Sequence, residues 1–338
     1  GGMKSPGKPL LIIGLPVFNG ENFLTQAIES LLSQDFQQFD LIICDNASTD
    51  RTEANCRAFA ERDARVRYSR NSENLGAAGN WNRVFELSSG HFFKWAAHDD
   101  MHEHRFLSSC LALLEAEPDA VLAYTRAVSI DADEHRLREW SSHPDICSSD
   151  LSVRYARWLA VPTDPLPLPI FGVMRADVLR RTRGFASYPD ADVALLTEMS
   201  LHGPFAEVPE PLFLQREHGG RAGPRLAGDP YAAVNFWDAR TVRPLGLPHW
   251  SLLAGQVSAI FRAPLAPSQR LACLRMLAGW IGRKRRLLSK DMMISLGHMP
   301  AVGPPVRRLM ENMRLKAWRR QIDETLRELD ATIPSDAE

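Results

Sequence analysis

Short, continuously apolar runs alternate along the first half of the chain with segments of helical periodicity. Leu10-Leu-Ile-Ile-Gly-Leu15 is apolar throughout and ends at Pro16, the pattern of a strand buried on both faces. After Val17-Phe-Asn-Gly20, the apolar residues Phe23, Leu24, Ala27, Ile28, Leu31 and Leu32 predict an amphipathic helix. Phe39–Cys44 predicts a second strand, which runs into the turn-and-cap cluster Asp45-Asn-Ala-Ser-Thr-Asp50 and a helix over 52–62. Val66–Ser69 and His91–Ala97 are further strands, separated by a loop through Asn74-Leu-Gly76 and a helix to Ser88. Four successive strand-helix units predict an α/β fold with a doubly wound, mostly parallel, Rossmann-like sheet and helices on both faces. Ligands of such sheets bind at the carboxyl ends of the strands. That rule brings Pro16, Val17, Phe18, Asn19, Asp45 and the pair Asp99-Asp100 to one rim.

Farther along, a helical pattern spans Glu103–Glu117 and Ala120–Tyr124 is a strand. Residues 131–150 are polar and irregular and read as a surface excursion. Leu166-Pro-Leu-Pro-Ile-Phe-Gly172 is too proline-rich for a central strand, so Ile170–Met174 is expected at an edge. Asp177–Arg181 is a short helix, and Asp192 heads another that runs through His202. Ala206–Val208 and Leu212–Leu214 read as two closing strands, followed by Gln215-Arg-Glu-His-Gly-Gly-Arg221 as a mobile loop. Beyond about Pro230 the pattern is helical. Leu271, Leu274, Leu277, Ala278 and Ile281 make an apolar stripe on a helix expected to end in Arg283-Lys-Arg-Arg286.

Composition narrows the classes. The 338 residues are 45% hydrophobic and 24% charged, as in globular proteins, with no apolar run near the length of a membrane span and no apolar signal core at the start. A cytoplasmic location is expected. Gly1-Gly2 ahead of Met3 reads as a tag remnant. The expected organisation is a disordered start over 1–8, a catalytic domain over 9–225 and a basic helical region over 226–338. Cys44, Cys56, Cys110, Cys147 and Cys273 have no paired spacing, which fits reduced thiols rather than a disulfide frame or a zinc site. The net charge of −1 hides an asymmetry: residues 262–320 carry 14 Lys and Arg against Asp291 and Glu311.

Two adjacent aspartates after a strand repel one another, and a divalent cation relieves that repulsion. Asp is also a common helix cap, so the pair alone does not decide the chemistry. The wider set of motifs does more. Gly14-Leu-Pro-Val-Phe-Asn-Gly-Glu-Asn22, Asp45-Asn-Ala-Ser-Thr-Asp50, Asn74-Leu-Gly76, Asp99-Asp100 and an Asp192 heading a helix, in that order, resemble the inverting family-2 glycosyltransferases of the GT-A fold. The similarity covers residues 9–220. It implies that Pro16 and its neighbours through Asn19 shape the floor under a nucleotide, with Asp45 accepting the imide N–H of uracil or thymine. It implies that Asp99 faces the ribose and that Asp100 holds Mn²⁺ or Mg²⁺ bridging the two phosphates, with His218 joining the ion. Asp192 is then the general base, with Asp190 as its rival. His98 stands where many relatives carry a third acidic residue. Asn74 and Gly76 belong to the nucleotide loop, where they, like Asn82, build the loop rather than perform chemistry. Trp81 and Trp95 read as core aromatics.

The expected activity is transfer of a sugar from a UDP- or dTDP-sugar to a glycan or lipid-linked acceptor, in surface polysaccharide or related glycan assembly. A sugar nucleotidyltransferase would need a basic, glycine-rich phosphate loop early in the chain, yet no Lys or Arg lies between Lys8 and Arg51. A nucleotide-sugar-binding module without turnover is the other alternative. A dehydrogenase is disfavoured because no G-x-G-x-x-G turn follows the first strand. The basic C-terminal helices suit an anionic inner membrane leaflet, with a solvated face or a homodimer contact as the plainer uses. No aromatic-basic motif points to nucleic acid.

Overall fold

Every residue of β1 (Leu11–Val17) is buried. Leu11, Ile13, Leu15 and Val17 face one apolar cluster and Ile12 faces a second, so the strand lies between two layers of helices. In this computed structural model, residues 10–140, 144–160, 168–188, 190–220, 236–239 and 247–297 are described, together with 304, 305, 308, 311 and 312. Residues 1–9, Arg221 at the end of the expected Gln215–Arg221 loop, and most of the chain after 297 lie outside them.

β2 (Phe39–Asp45) and β4 (Phe92–Trp95) flank β1 in parallel, and β3 (Val66–Arg70) extends the sheet beyond β2. Pro16 lies inside β1 instead of ending it. The last rung with β4 pairs Gly14 with Trp95, so a proline two residues on removes no ladder hydrogen bond. The crossover helices are α1 (Leu24–Leu32), α2 (Thr52–Arg62) and α3 (Gly76–Glu86). β5 (Met101–His102) and α4 (Phe106–Ala116) follow β4. The rest of the sheet comprises β6 (Leu122–Ile130), β7 (Arg136–Glu139), β8 (Val173–Arg175) and β9 (Phe205–Arg216). The strand order is β3-β2-β1-β4-β8-β6-β9-β5, with β7 on β6.

Three expectations change here. The 131–150 stretch is not all irregular, since Arg136–Glu139 pairs with β6 as an exposed hairpin arm. It is followed by a helix, α5 (Leu151–Ala160), that the polar context hid, although Leu151, Arg154, Tyr155, Trp158 and Leu159 fall on one buried face. The segment around Ile170 is not an edge strand. Residues 168–171 form a tight turn, and β8 begins only at Val173, inserted antiparallel between β4 and β6. A Cβ at Gly172 would stand 2.5 Å from the Ala123 carbonyl, so only glycine lets the turn pass this close to β6. The two closing strands are one. β9 absorbs Pro209 and Pro211 through register shifts opposite Thr125–Ala127, and it continues through Gln215 and Arg216, which are buried instead of mobile.

After β8 come α6 (Ala176–Leu179) and α7 (Ala191–Ser200), then α8 (Pro248–Arg262) and α9 (Pro267–Gly297). The chain forms two compact units. One holds 1–242 with 251–282, and the other holds 243–250 with 283–338. α9 does not stop at Arg283–Arg286 but runs on to Gly297. Its expected stripe is split: Leu277 and its neighbours Cys273 and Trp280 are buried in a cluster with Tyr155, Leu253 and Ile260, while Leu271 and Ile281 are exposed.

Gly76 opens α3 at φ +76°, and a Cβ there would stand 2.6 Å from both the Trp237 carbonyl oxygen and the Ala239 nitrogen. Gly76→Ala is therefore expected to destabilise the fold by about 1–3 kcal/mol. Urea unfolding checks this, and an unchanged midpoint would mean that residues 237–239 do not press on the loop.

Candidate active site

The loop after β1 is zipped to the loop after β2 by hydrogen bonds between side chains and main chain. The Asn19 N–H donates to Ser48 Oγ at 2.9 Å, the Gly20 N–H to Thr52 Oγ1 at 2.9 Å and the Glu21 N–H to Asp50 Oδ2 at 3.1 Å. In return, the Thr49 N–H donates to Asn19 Oδ1 and the Arg51 N–H to Glu21 Oε2. Short side chains with oxygen acceptors satisfy backbone that no ladder reaches, which is why both motifs are rich in Asn, Ser, Thr and Asp. At the tip, Asn19 takes φ +52° and Phe18 is 43% exposed.

Asp45 faces inward. The Ser48 N–H donates to its Oδ1 at 2.8 Å, and Tyr68 Oη and Arg70 Nη1 each donate to its Oδ2 at 2.7 Å, leaving the side chain 0% exposed. In this arrangement it presents no oxygen to a base. Burial first, then the bond to Asp45, push the Tyr68 phenol above its ordinary pKa, so it stays a donor. Next to it an asparagine network was not foreseen. Asn46 donates to Asn74 Oδ1 and the Gly76 carbonyl and accepts from the Leu75 N–H and Asn71, while Asn80 reaches the carbonyls of Cys44 and Val17. Asn74 and Gly76 thus hold the loop in shape, and Asn82 clamps both backbone groups of Phe185.

The acid pair lies just past β4. A Cβ on Gly20 would meet His98 Cδ2 at 2.5 Å, so glycine there lets the His98 ring rest on the β1 loop. Asp99 Oδ2 is 3.0 Å from His218 Nε2, both side chains being about one-sixth exposed (17% and 16%). Burial opposes the Asp99 charge, but the His218 hydrogen bond and the nearby imidazoles of His98 and His218 outweigh it and hold its pKa below the usual value. His218 therefore meets Asp99, the neighbour of the Asp100 it was expected to join at the ion. Asp100 is 5% exposed, and its Oδ1 accepts the Arg216 N–H at 2.9 Å.

Arg216 was read only as part of a loop, yet its guanidinium is fully buried. It donates to the carbonyls of Asp99, Asp131 and Ala132 and lies 4.8 Å from the Phe23 ring centroid, while Phe23 also packs on the His218 ring. Lys94 was missed too. It is enclosed by Phe106 and Phe213 and donates to the carbonyls of Trp95 and Phe171, and burial pulls its pKa down to about 7 against the opposing pull of Cys110 and Asp100. A charged residue inside a strand that otherwise reads as core gives no sequence signal for this.

Asp192 lies in the first turn of α7, and Asp190 is the N-cap residue at φ +61°. Burial foremost raises the Asp192 carboxyl to about 6, aided by Asp190 and opposed by the Val193 N–H, which donates to Oδ1 at 2.9 Å. The neighbouring Ala191 shares an apolar cluster with Trp95, at the carboxyl end of β4. Trp95 is fully buried, and Trp81 packs beside it, both as core aromatics.

The profile of the family described as Glycosyl transferase family 2 matches residues 12–164, which hold the two zipped loops and the acid pair. The chain carries a family-2 glycosyltransferase domain. An uncharacterized glycosyltransferase of Rickettsia typhi is 28% identical over 130 residues, 38% of this chain and 40% of that protein, so the match spans well under half of the relative's length. The transferase domain also has the fold of S. aureus TarS in complex with UDP-GlcNAc, with a TM-score of 0.61 at 13% identity over 85% of this chain and 79% of that one. It is similar as well to the mannosyltransferase PcManGT of Pyrobaculum calidifontis in complex with GDP-Man and Mn²⁺, with a TM-score of 0.51 at 17% identity over 93% and 81% of the two chains. These likenesses establish the mostly parallel GT-A-type sheet with helices on both faces.

Among the described residues, a trio whose ligating atoms all lie within 4.8 Å of one another is Asp131, Asp133 and His135 in the β6–β7 turn. The Asp131 carboxylate is occupied inside that turn by the N–H groups of Asp133 and His135. Asp99 and His218 offer a carboxylate oxygen and an imidazole nitrogen at one point. That donor set suits a divalent cation that keeps sites for phosphate, and imidazole favours Mn²⁺ over Mg²⁺.

Asp45→Asn would turn an amide N–H₂ or a weaker acceptor toward Tyr68 and Arg70. It is expected to destabilise the transferase domain by about 1–3 kcal/mol. Thermal and urea unfolding measure this, and a variant as stable as the parent would remove Asp45 from the frame of the site.

Proposed function

We propose that the protein transfers a sugar, with inversion, from a UDP- or dTDP-sugar to a hydroxyl of a glycan or lipid-linked acceptor, assisted by Mn²⁺ or Mg²⁺. The observation that carries the reading is the contact of Asp99 with His218 on the rim where the two zipped loops end. Pro16, Val17 and Asn19 form the rigid floor of the nucleotide pocket, and the exposed ring of Phe18 offers a face for the base to stack on. Asp45, with Asn74 and Gly76, holds that floor, and a base imide reaches Asp45 only where Arg70 or Tyr68 yields a bond. Asp99 and His218 hold the ion, and Asp100 keeps the acid loop attached to β9. When bound, the ion acts as a Lewis acid that neutralises charge on the departing nucleoside diphosphate.

Asp192 receives the proton of the acceptor hydroxyl as that oxygen attacks the anomeric carbon from the face opposite the diphosphate. The bond from the anomeric carbon to the phosphate oxygen breaks, the electron pair leaves with the diphosphate, and one displacement inverts the configuration. A carboxyl raised to about 6 is mostly ionised at neutral pH yet more basic than a solvated aspartate. Asp190 remains the alternative base one turn-start earlier. The UDP-GlcNAc complex of TarS and the GDP-Man complex of PcManGT support a nucleotide-sugar donor.

Incubation with UDP-GlcNAc, a dTDP-sugar and GDP-Man, with Mn²⁺ or with EDTA, tests the reading through release of the nucleoside diphosphate. Release from a pyrimidine donor in Mn²⁺, lost in EDTA, is expected. Preference for GDP-Man would overturn the donor assignment, and nucleotide binding without release from any donor would favour a binding module. For Asp192 the sign is fixed by its raised pKa, because protonation removes the base. kcat/KM should fall as pH drops through about 6, while Asp192→Asn abolishes turnover and leaves the protein at least as stable above that pH, where the native carboxylate is a burden on the fold. A pH profile flat from 5 to 8, in units of the ordinary carboxylate and histidine range, would assign the proton transfer elsewhere.

A further inference from the structure

The described part of the second unit consists of residues 247–250, at the start of α8, and the half of α9 beyond Gly282. Its inner face is tied down. Asp291 is 5% exposed and accepts the His249 N–H at 2.8 Å, with His249 Nδ1 at 2.9 Å from its other oxygen. The Trp250 indole N–H donates to the Leu288 carbonyl at 3.0 Å. Asp291 is the only acid among residues 283–297, and this pairing turns it inward.

The outer face is then of one sign. Arg283, Arg285, Arg286 and Lys290 are exposed, and among the described residues none of them forms an ion pair. Arg283, Arg286 and Lys290 recur at i, i+3 and i+7, so they form one row along the helix. Arg285, Met292 and Leu296 recur at i, i+7 and i+11 and form another. Met292 is 48% exposed and Leu296 39%. A helix face that is merely solvated mixes charge signs and hides its large apolar side chains. This face does neither.

We propose that this face docks on a bilayer surface rich in anionic lipid. Arginine and lysine meet the headgroup phosphates, while methionine and leucine settle at the boundary of the acyl chains. The partner is anionic because residues 262–320 carry +12 in a chain whose total is −1, so attraction to negative charge belongs to this segment and the rest of the surface is repelled. No helix among the described residues is long and apolar enough to cross a membrane, so the contact is peripheral. The expected Leu271–Ile281 stripe does not make it, since Leu277 is in the core. The inference does not depend on the transferase chemistry.

Co-sedimentation of the full chain with phosphatidylcholine vesicles, and with vesicles containing about a third phosphatidylglycerol, tests it. Binding is expected on the anionic vesicles only, falling steeply as salt rises. Each basic residue near such a surface contributes about five-fold, so the triple variant R283Q/R286Q/K290Q should bind about a hundred-fold more weakly. M292S/L296S should weaken binding while leaving the salt dependence unchanged. Far-UV circular dichroism verifies that both variants fold, and the salt series on the parent protein stands without them. Equal binding to neutral vesicles, retention at high salt, an undiminished triple variant, or displacement by an oligodeoxythymidine at equal phosphate would each overturn the proposal, the last in favour of a nucleic-acid surface.

Discussion

A buried arginine that donates to three carbonyl groups, with Glu134 at 3.5 Å as its counter-ion, holds the rim of this protein together. Arg216 ends β9, and its guanidinium is taken up by the main chain of Asp99, Asp131 and Ala132, while its own N–H holds Asp100. Guanidinium is planar, stays charged and loses less hydration than an ammonium, so it alone can satisfy several carbonyls at fixed angles without water. Three segments far apart in sequence are thereby fixed on one another. His218 follows two residues later and is delivered to Asp99. The pairing of acid and imidazole is a consequence of where β9 stops.

The rim combines rigid and reactive parts. The loops after β1 and β2 satisfy each other's backbone groups through side chains, and the asparagine network continues that pattern to the start of α3. A floor built this way excludes water from its own backbone and keeps one shape before a nucleotide arrives, which lowers the ordering cost of binding. Asp192 is placed differently, at the head of a helix whose far end is anchored by Glu198, which accepts Arg262 and the Arg183 N–H. Anchoring that helix fixes the setting of the carboxyl, whose burial raises its pKa. The two zipped loops are thus locked to the sheet, whereas Asp192, the proposed base, is carried on a helix.

The parallel strands of the first half were legible because apolar runs buried on both faces have little choice of environment, and the carboxyl-end rule then locates the loops that follow them. Leu11–Val17 and Phe39–Asp45 carry that signal in full. The signal fails where polar context masks periodicity, as in α5, and where proline is tolerated through bulges, as in β9. It fails as well for groups whose role is set by contacts across the fold. Arg216 and Lys94 are buried charges inside strands, and no local pattern distinguishes a buried arginine from a solvated one. Asp45 shows the opposite limit: the motif marks the residue, but only the coordinates reveal that both its oxygens face Ser48, Tyr68 and Arg70. The contact of Asp99 with His218 has the same origin, since it is set across the fold and not by the local sequence.

The central claim is that Asp99 and His218 together hold the ion through which a nucleoside diphosphate is gripped. Calorimetric titration of UDP into the protein and into Asp99→Asn, each with Mn²⁺ and with EDTA, tests it most directly. Mn²⁺ should tighten UDP binding to the parent and leave the variant's weaker binding unchanged. Equal affinity of the parent in Mn²⁺ and EDTA, or a variant that keeps the full effect of Mn²⁺, would contradict it.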